Sequence, residues 1–129
     1  MQWVNFTAGG GHSAKLSEHL PSEHRLVETL KTFERFADFY PYYLHEHRDS
    51  TCRRLHFIGT SLVILILAFA VLNANWTLLW AVPLAGYAFA WIGHFFFEKN
   101  RPATFKHPFY SLLGDFVMYK DMLTGKVSF

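Results

Sequence analysis

A stretch of 43 residues without Asp, Glu, Lys or Arg, from Leu55 to Phe97, constrains the fold of this chain more than any other feature. At about 1.5 Å per residue, one helix of this length would be about twice as long as the apolar core of a bilayer is thick. The segment Asn73-Ala-Asn75 has the composition of a tight turn and divides the stretch into two spans, 55–72 and 76–97. The sequence therefore predicts an all-α fold built on a transmembrane helical hairpin. The alternative is a soluble protein with two buried helices, and the near-absence of a polar face disfavours it.

Basic residues flank both spans, whereas the connecting turn carries no charge. They are Arg48, Arg53 and Arg54 before the first span and Lys99, Arg101 and Lys106 after the second. The positive-inside rule then predicts that both chain ends lie on the cytoplasmic side. We expect no removable signal peptide, because no apolar segment precedes a small-residue cleavage site near Met1.

The remaining charge and cysteine content is consistent with this placement. The formal net charge of +2 is mild, and the basic residues lie where anionic lipid headgroups would favour them. We therefore expect no nucleic acid partner. The single cysteine, Cys52, excludes an internal disulfide and is typical of a reducing compartment.

The chain is expected to consist of a polar N-terminal arm, residues 1–28, and one membrane-embedded helical domain, residues 29–129. Apolar residues recur at steps of three or four over about 29–47, which predicts an amphipathic helix that Pro41 kinks or divides. A last apolar pattern predicts an interfacial helix over about 109–124.

Histidines carry the candidate chemistry. His47 continues the apolar stripe of its helix and should point inward, whereas His45 lies about 200° away around the helix. His56 and His94 are each 19 residues from Asn75 at the turn, so the two straight helices of a hairpin would place them at the same height. Glu98 lies one turn beyond His94 on the same face.

This spacing predicts a cluster of four residues that could bind one transition metal. Its members are His47, His56, His94 and Glu98. Ionisable groups at the edge of an apolar span are costly unless they are paired or bind an ion, and imidazoles with one carboxylate suit both iron and zinc. The alternative is that these histidines are ordinary residues of the membrane boundary. His107 is a possible extra ligand, although a position on a surface loop is the simpler interpretation.

The later block Gly93-His-Phe-Phe-Phe-Glu-Lys-Asn-Arg-Pro-Ala103, with Tyr42-Tyr43 before His47 and His56 nine residues after it, resembles the membrane 2-hydroxy fatty acid dioxygenase family. The resemblance covers roughly residues 39–123. One element departs from the family pattern, because Asp49-Ser-Thr-Cys52 stands where the family has Asn-Pro-x-Asn.

The resemblance implies a function. Fe(2+), held by the four residues of the cluster, would serve the cleavage of a 2-hydroxy fatty acid by O2 between C1 and C2, giving an acid one carbon shorter, as in fatty acid α-oxidation. Charge and position make Arg53, Arg54 and Arg101 candidates for binding the substrate carboxylate, and Tyr87 is a candidate for lining the acyl chain. The acyl chain would lie among apolar side chains within the lipid bilayer, and the polar head of the substrate would meet the iron at the cytoplasmic boundary. The compact form indicates a bacterial inner-membrane protein, or an endoplasmic reticulum protein in a eukaryote.

Two other functions remain open from the sequence. The first is a zinc-dependent membrane lipid hydrolase, in which a zinc-bound water would act without oxygen. The second is a non-catalytic membrane scaffold with interfacial histidines. In either case a homo-oligomer is an option, since two-span proteins can gain helix contacts by self-association.

Overall fold

The structure is a computed structural model and describes residues 32–129. Within this range all regular structure is helical and there is no β-strand. Residues from Glu34 to Phe129 form one compact unit. The predicted N-terminal arm, residues 1–28, lies outside the described residues.

The first helix, α1, is Phe36–His45 and contains Pro41. The sequence predicted that Pro41 would kink or divide this helix. The structure shows one helix that continues through it, although this proline cannot donate the backbone hydrogen bond of its turn. The residues of the predicted helix before residue 32 are not described.

The second helix, α2, is Ser50–Leu72, and it begins five residues before the predicted apolar span. Asp49 caps its N-terminus, because the Asp49 side chain accepts a hydrogen bond from the Cys52 N–H at 3.0 Å. The cap explains the earlier start, since it lets helical structure begin among polar and basic residues that hydropathy alone excludes from a span.

The return half of the hairpin is a sequence of three helical types. A 3₁₀-helix, Trp76–Trp80, leads into α3, Ala81–Ile92, which passes into a π-helix, Gly93–Glu98. Together with α2, this segment gives two helices that are long and apolar enough to cross a membrane, with mean hydropathies of 2.5 and 1.3. The predicted hairpin and the all-α fold class are confirmed.

Gly93 allows the two halves of the hairpin to approach closely near the histidines. A Cβ added at Gly93 would lie 2.9 Å from the Cys52 Sγ and 3.2 Å from the Cys52 Cα. Any side chain at Gly93 would therefore push the π-helix away from the start of α2.

A left-handed residue ends the π-helix and reverses the chain. Lys99 has φ 57° and ψ 41°, a conformation uncommon for residues other than glycine. The reversal brings Asn100 back over the helix, where its backbone N–H donates to the His94 carbonyl at 3.1 Å.

The last helix, α4, is Pro108–Leu123 and follows a short 3₁₀-helix, Ala103–Phe105. Its bounds lie close to those of the predicted interfacial helix. The inner face of α4 packs against α1 and α2. This packing places a carboxylate of α4 beside the histidines.

Candidate metal centre

Three histidines from separate segments come together at the end of the hairpin opposite the Asn73–Asn75 turn. His47 follows α1, His56 lies in the second turn of α2, and His94 lies in the π-helix. Their exposed fractions are only 1%, 6% and 1%. The predicted convergence of the three imidazoles is present in the structure.

Each imidazole is held through its Nδ1 atom by a different acceptor. The Tyr43 carbonyl oxygen lies 2.6 Å from the His47 Nδ1. The Asp115 Oδ1 lies 3.0 Å from the His56 Nδ1. The Asn100 Oδ1 lies 2.7 Å from the His94 Nδ1. Because all three partners are oxygen acceptors, each Nδ1 carries the proton and each Nε2 keeps its lone pair.

The orientation of the Asn100 amide is fixed independently. Its Nδ2 donates to the Glu46 carbonyl at 3.0 Å and to the Glu46 Oε2 at 2.8 Å. The amide oxygen must therefore be the atom that faces His94.

The three Nε2 atoms converge, although they cannot hydrogen-bond to one another in these tautomers. The Nε2 of His56 lies 3.2 Å from the Nε2 of His47 and 3.2 Å from the Nε2 of His94. Lone pairs that face each other at this distance repel unless a proton or a cation lies between them. A spacing of this size corresponds to an angle of about 100° at a metal with Nε2 bonds of about 2.1 Å. The cluster therefore fits one metal ion held by three neutral imidazoles.

The protonation state of His47 agrees with this arrangement. Burial lowers the pKa of His47 well below its ordinary value, and the neighbouring His56 and His94 lower it further. A neutral imidazole is the form that binds a metal ion.

Glu98 accepts hydrogen bonds from two backbone amides of the turn before α2. Its Oε1 accepts the Arg48 N–H at 3.0 Å, and its Oε2 accepts the Asp49 N–H at 2.6 Å. Both amides lie just before α2, where a helix N-terminus favours a carboxylate. The role of Glu98 as a metal ligand stays a prediction, and its helical spacing from His94 could not reveal these two donors.

Cys52 is a neighbour of the cluster that the sequence analysis did not assign to it. Its Sγ and one nitrogen from each of the three histidines lie within 4.8 Å of one another, and Cys52 is fully buried. Cys52 lies one helical turn before His56, and this spacing could have identified it.

Asp115 and Asn100, which orient His56 and His94, were also missed. Asp115 lies 59 positions after His56, so no local spacing connects the two residues. Asn100 lies beyond the end of the π-helix, and only the left-handed Lys99 brings it back to His94.

The four predicted substrate-binding residues have different surroundings. Arg53 is bound to backbone carbonyls, because its guanidinium donates to His47 O at 3.0 Å, Arg48 O at 2.5 Å and Ser128 O at 2.8 Å. Arg54 and Arg101 are exposed.

Tyr87 begins a row of exposed aromatic side chains that leads toward the cluster. Its ring centroid is 5.9 Å from that of Trp91, which is 6.5 Å from that of Phe95, the residue after His94.

His107 lies at the start of α4 and does not belong to the group of possible metal ligands found in residues 32–129. Its ring packs edge-on against Phe39, with 5.4 Å between ring centroids. Burial lowers the pKa of His107, and the nearby Lys106 lowers it further.

The fold and site define a class of protein: an all-helical chain with two helices able to cross a membrane and a buried histidine group that could hold a metal ion. The profile of the family described as 2-hydroxy-palmitic acid dioxygenase Mpo1-like matches residues 33–127, and the chain belongs to this family. The family resemblance seen in the sequence is thus confirmed. Comparisons with curated proteins and with solved structures gave no match.

Proposed function

We propose that this protein is an integral membrane, iron-dependent dioxygenase that shortens 2-hydroxy fatty acids by one carbon. The observation that carries the proposal is the convergence of three Nε2 lone pairs, each directed inward by an anchored Nδ1–H. The family name supplies the class of substrate and reaction.

His47, His56 and His94 would hold the iron. Glu98 would stabilise the turn between His47 and the start of α2. Three histidines leave coordination positions for substrate and oxygen, as histidine sets of non-haem iron enzymes do. When bound, ferrous iron would supply the electron transfer to O2 that the organic substrate cannot perform rapidly alone.

The proposed reaction balances without an added reductant. A 2-hydroxy acid and one O2 give the acid one carbon shorter, CO2 and water. The bond between C1 and C2 breaks, C2 loses three electrons, C1 loses one, and O2 takes up all four. The substrate itself therefore supplies every electron, and CO2 is a product that can be measured.

The residues around the cluster would bind the two ends of the substrate. Arg54 and Arg101 are exposed and available for the carboxylate, whereas the guanidinium of Arg53 already binds backbone carbonyls. The aromatic row from Tyr87 to Phe95 offers an apolar surface for the acyl chain. The basic flanks of the spans favour a topology with both chain ends on the cytoplasmic side.

Anaerobic purification with metal analysis, followed by addition of 2-hydroxypalmitate and O2, tests the proposal. Wild type should contain iron near one per chain and release the C15 acid and CO2. His94→Ala should lose both, whereas His45→Ala, which changes a half-exposed histidine outside the cluster, should retain both. Folded wild type that binds no metal and releases no product would refute the proposal and favour a scaffold.

The location of Cys52 is the observation that favours the alternative function of a zinc-dependent hydrolase. A buried thiol beside three imidazoles offers a fourth donor, and mixed sulfur and nitrogen ligands suit zinc. Stoichiometric zinc, lost in Cys52→Ala, together with lipid hydrolysis in the absence of oxygen, would establish that function instead.

A further inference from the structure

Two tyrosine–aspartate hydrogen bonds join α1 to α4, and they differ in what else the aspartate binds. The Tyr43 hydroxyl donates to the Asp115 Oδ1, and the Tyr40 hydroxyl donates to the Asp121 Oδ2 at 2.7 Å. Asp115 also accepts the His56 Nδ1–H at 3.0 Å. Asp121 instead pairs with Lys120, with 3.2 Å between Nζ and Oδ1.

Tyr43 contacts a second histidine of the cluster. Its ring stacks on the His47 ring, with 4.1 Å between centroids and 29° between planes. Its backbone carbonyl also accepts the His47 Nδ1–H at 2.6 Å. Tyr43 and Asp115 together therefore hold two imidazoles that come from different segments of the chain.

The packing around Tyr43 leaves its ring little freedom. Only 1% of the residue is exposed, and a Cβ added at Gly114 would lie 2.9 Å from two atoms of the ring. Burial raises the pKa of Tyr43 well above its ordinary value, and the Asp115 carboxylate raises it further. The hydroxyl therefore stays protonated and donates to Asp115.

We propose that Asp115 and Tyr43 are positioning residues of the metal centre. Asp115 keeps the proton of His56 on Nδ1 and so directs the Nε2 lone pair at the other two imidazoles. Tyr43 fixes Asp115 through its hydroxyl and His47 through its carbonyl and ring. This inference rests on the proposed metal centre and adds two residues that the metal does not touch.

The second bridge provides matched controls for the first. Asp115→Asn and Asp121→Asn make the same change on the same helix, and Tyr43→Phe and Tyr40→Phe remove equivalent hydroxyl groups from α1. The affinity of the full-length protein in detergent for Co(II) would be measured anaerobically by competition with a chelator. Thermal unfolding of the metal-free proteins would be followed in parallel.

Variants of the two bridges should differ in their effect on Co(II) affinity. Asp115→Asn should weaken Co(II) binding by about 10–100-fold, the range seen when a partner of a ligating histidine is lost. Tyr43→Phe should weaken it less, since Asp115 remains. Asp121→Asn and Tyr40→Phe should leave Co(II) affinity unchanged even where they lower the unfolding temperature. Equal losses of affinity from both bridges, in proportion to lost stability, would overturn the proposal.

The tautomer of His56 tests the positioning role of Asp115 even in the absence of metal. In ¹⁵N NMR spectra of metal-free wild type, the proton should reside on the His56 Nδ1, and Asp115→Asn should show a mixture of tautomers. Should wild type bind no Co(II), the proposed metal centre fails, while this tautomer difference would still support positioning by Asp115. The same tautomer in both proteins would refute the positioning role, whatever the metal affinities are.

Discussion

The Nδ1 of His56 lies 3.0 Å from the Oδ1 of Asp115, a residue 59 positions later in the chain. This contact makes α4 part of the candidate metal centre. The hairpin supplies two of the histidines and the turn after α1 supplies the third, but the carboxylate that orients the middle imidazole arrives only with the last helix. The site therefore combines α2, the π-helix and α4 with the turn that follows α1.

Glu98 should stabilise the turn before α2 and should not act as a metal ligand. Glu98→Gln replaces one acceptor oxygen by an NH2 group that faces a backbone N–H, so one of its two hydrogen bonds must be lost. We expect a lower unfolding temperature with metal stoichiometry unchanged, measured by circular dichroism and metal analysis. Loss of the metal at undiminished stability would instead show that Glu98 is a ligand, as its helical spacing from His94 first indicated.

The metal-free protein should lose stability as the pH falls below about 6.5, the ordinary histidine pKa. Burial lowers the folded-state pKa of His47, so between the two values the unfolded chain binds a proton that the folded chain does not. The free energy of unfolding therefore decreases as pH falls through this range and is fully retained above it.

Thermal unfolding from pH 8 to pH 5 measures this effect. His47→Phe removes one titrating group and should reduce the pH dependence, while His107, whose pKa is also lowered by burial, keeps part of it. An equal change of unfolding temperature with pH in wild type and His47→Phe would contradict the assignment of this effect to His47.

Gly93→Ala should disturb the cluster through packing alone. The new Cβ would lie 2.9 Å from the Cys52 Sγ and 3.2 Å from the Cys52 Cα, so α2 and the π-helix must move apart. Such overpacking costs about 1–3 kcal/mol in well-packed cores, and here it should also weaken metal binding. Gly86→Ala is the control, because its Cβ would meet only the Val63 Cγ2 at an ordinary 3.6 Å. Equal unfolding temperatures and metal affinities for the two variants would contradict this account.

The outer face of α4 should lie in the bilayer interface. This helix is inverted relative to a soluble one: its outer side carries exposed apolar residues, and its buried side includes polar ones. The exposed residues are Phe109, Leu112, Leu113, Phe116 and Leu123. The buried polar residues are Ser111 and Asp121.

Nitroxide labels would test this placement of α4 in lipid nanodiscs. Labels at Phe109→Cys and Leu113→Cys should be accessible to O2 and protected from a water-soluble nickel chelate, whereas a label at Lys126→Cys should show the reverse. The buried Cys52 should remain unlabelled. Accessibility of the two α4 labels to the nickel chelate would contradict the interfacial placement.

A sequence pattern reveals the relationships that follow from regular helix geometry. The spans followed from the missing charges, and the common height of His56 and His94 followed from equal distances to Asn75. These inferences depend only on the regular rise of a helix. The inward direction of His47 followed from the apolar stripe of its helix, and the exposed His45 agrees with it.

The residues that orient the ligands could not be found in this way. Asn100 reaches His94 because Lys99 adopts a left-handed conformation, and Asp115 reaches His56 because two helices pack together. Neither contact produces a periodic pattern in the sequence. The hydrogen bonds of Glu98 to the Arg48 and Asp49 N–H groups likewise depend on the turn before α2, which the spacing from His94 does not describe.

X-ray absorption spectroscopy of the iron-loaded protein distinguishes a three-histidine iron centre from a site with a sulfur ligand. Wild type should bind iron through imidazole nitrogens at about 2.1 Å, with three histidines in the fitted shell, and His94→Ala should hold no iron. A sulfur shell at about 2.3 Å, lost in Cys52→Ala, or a shell without imidazole scattering, would contradict a three-histidine iron centre.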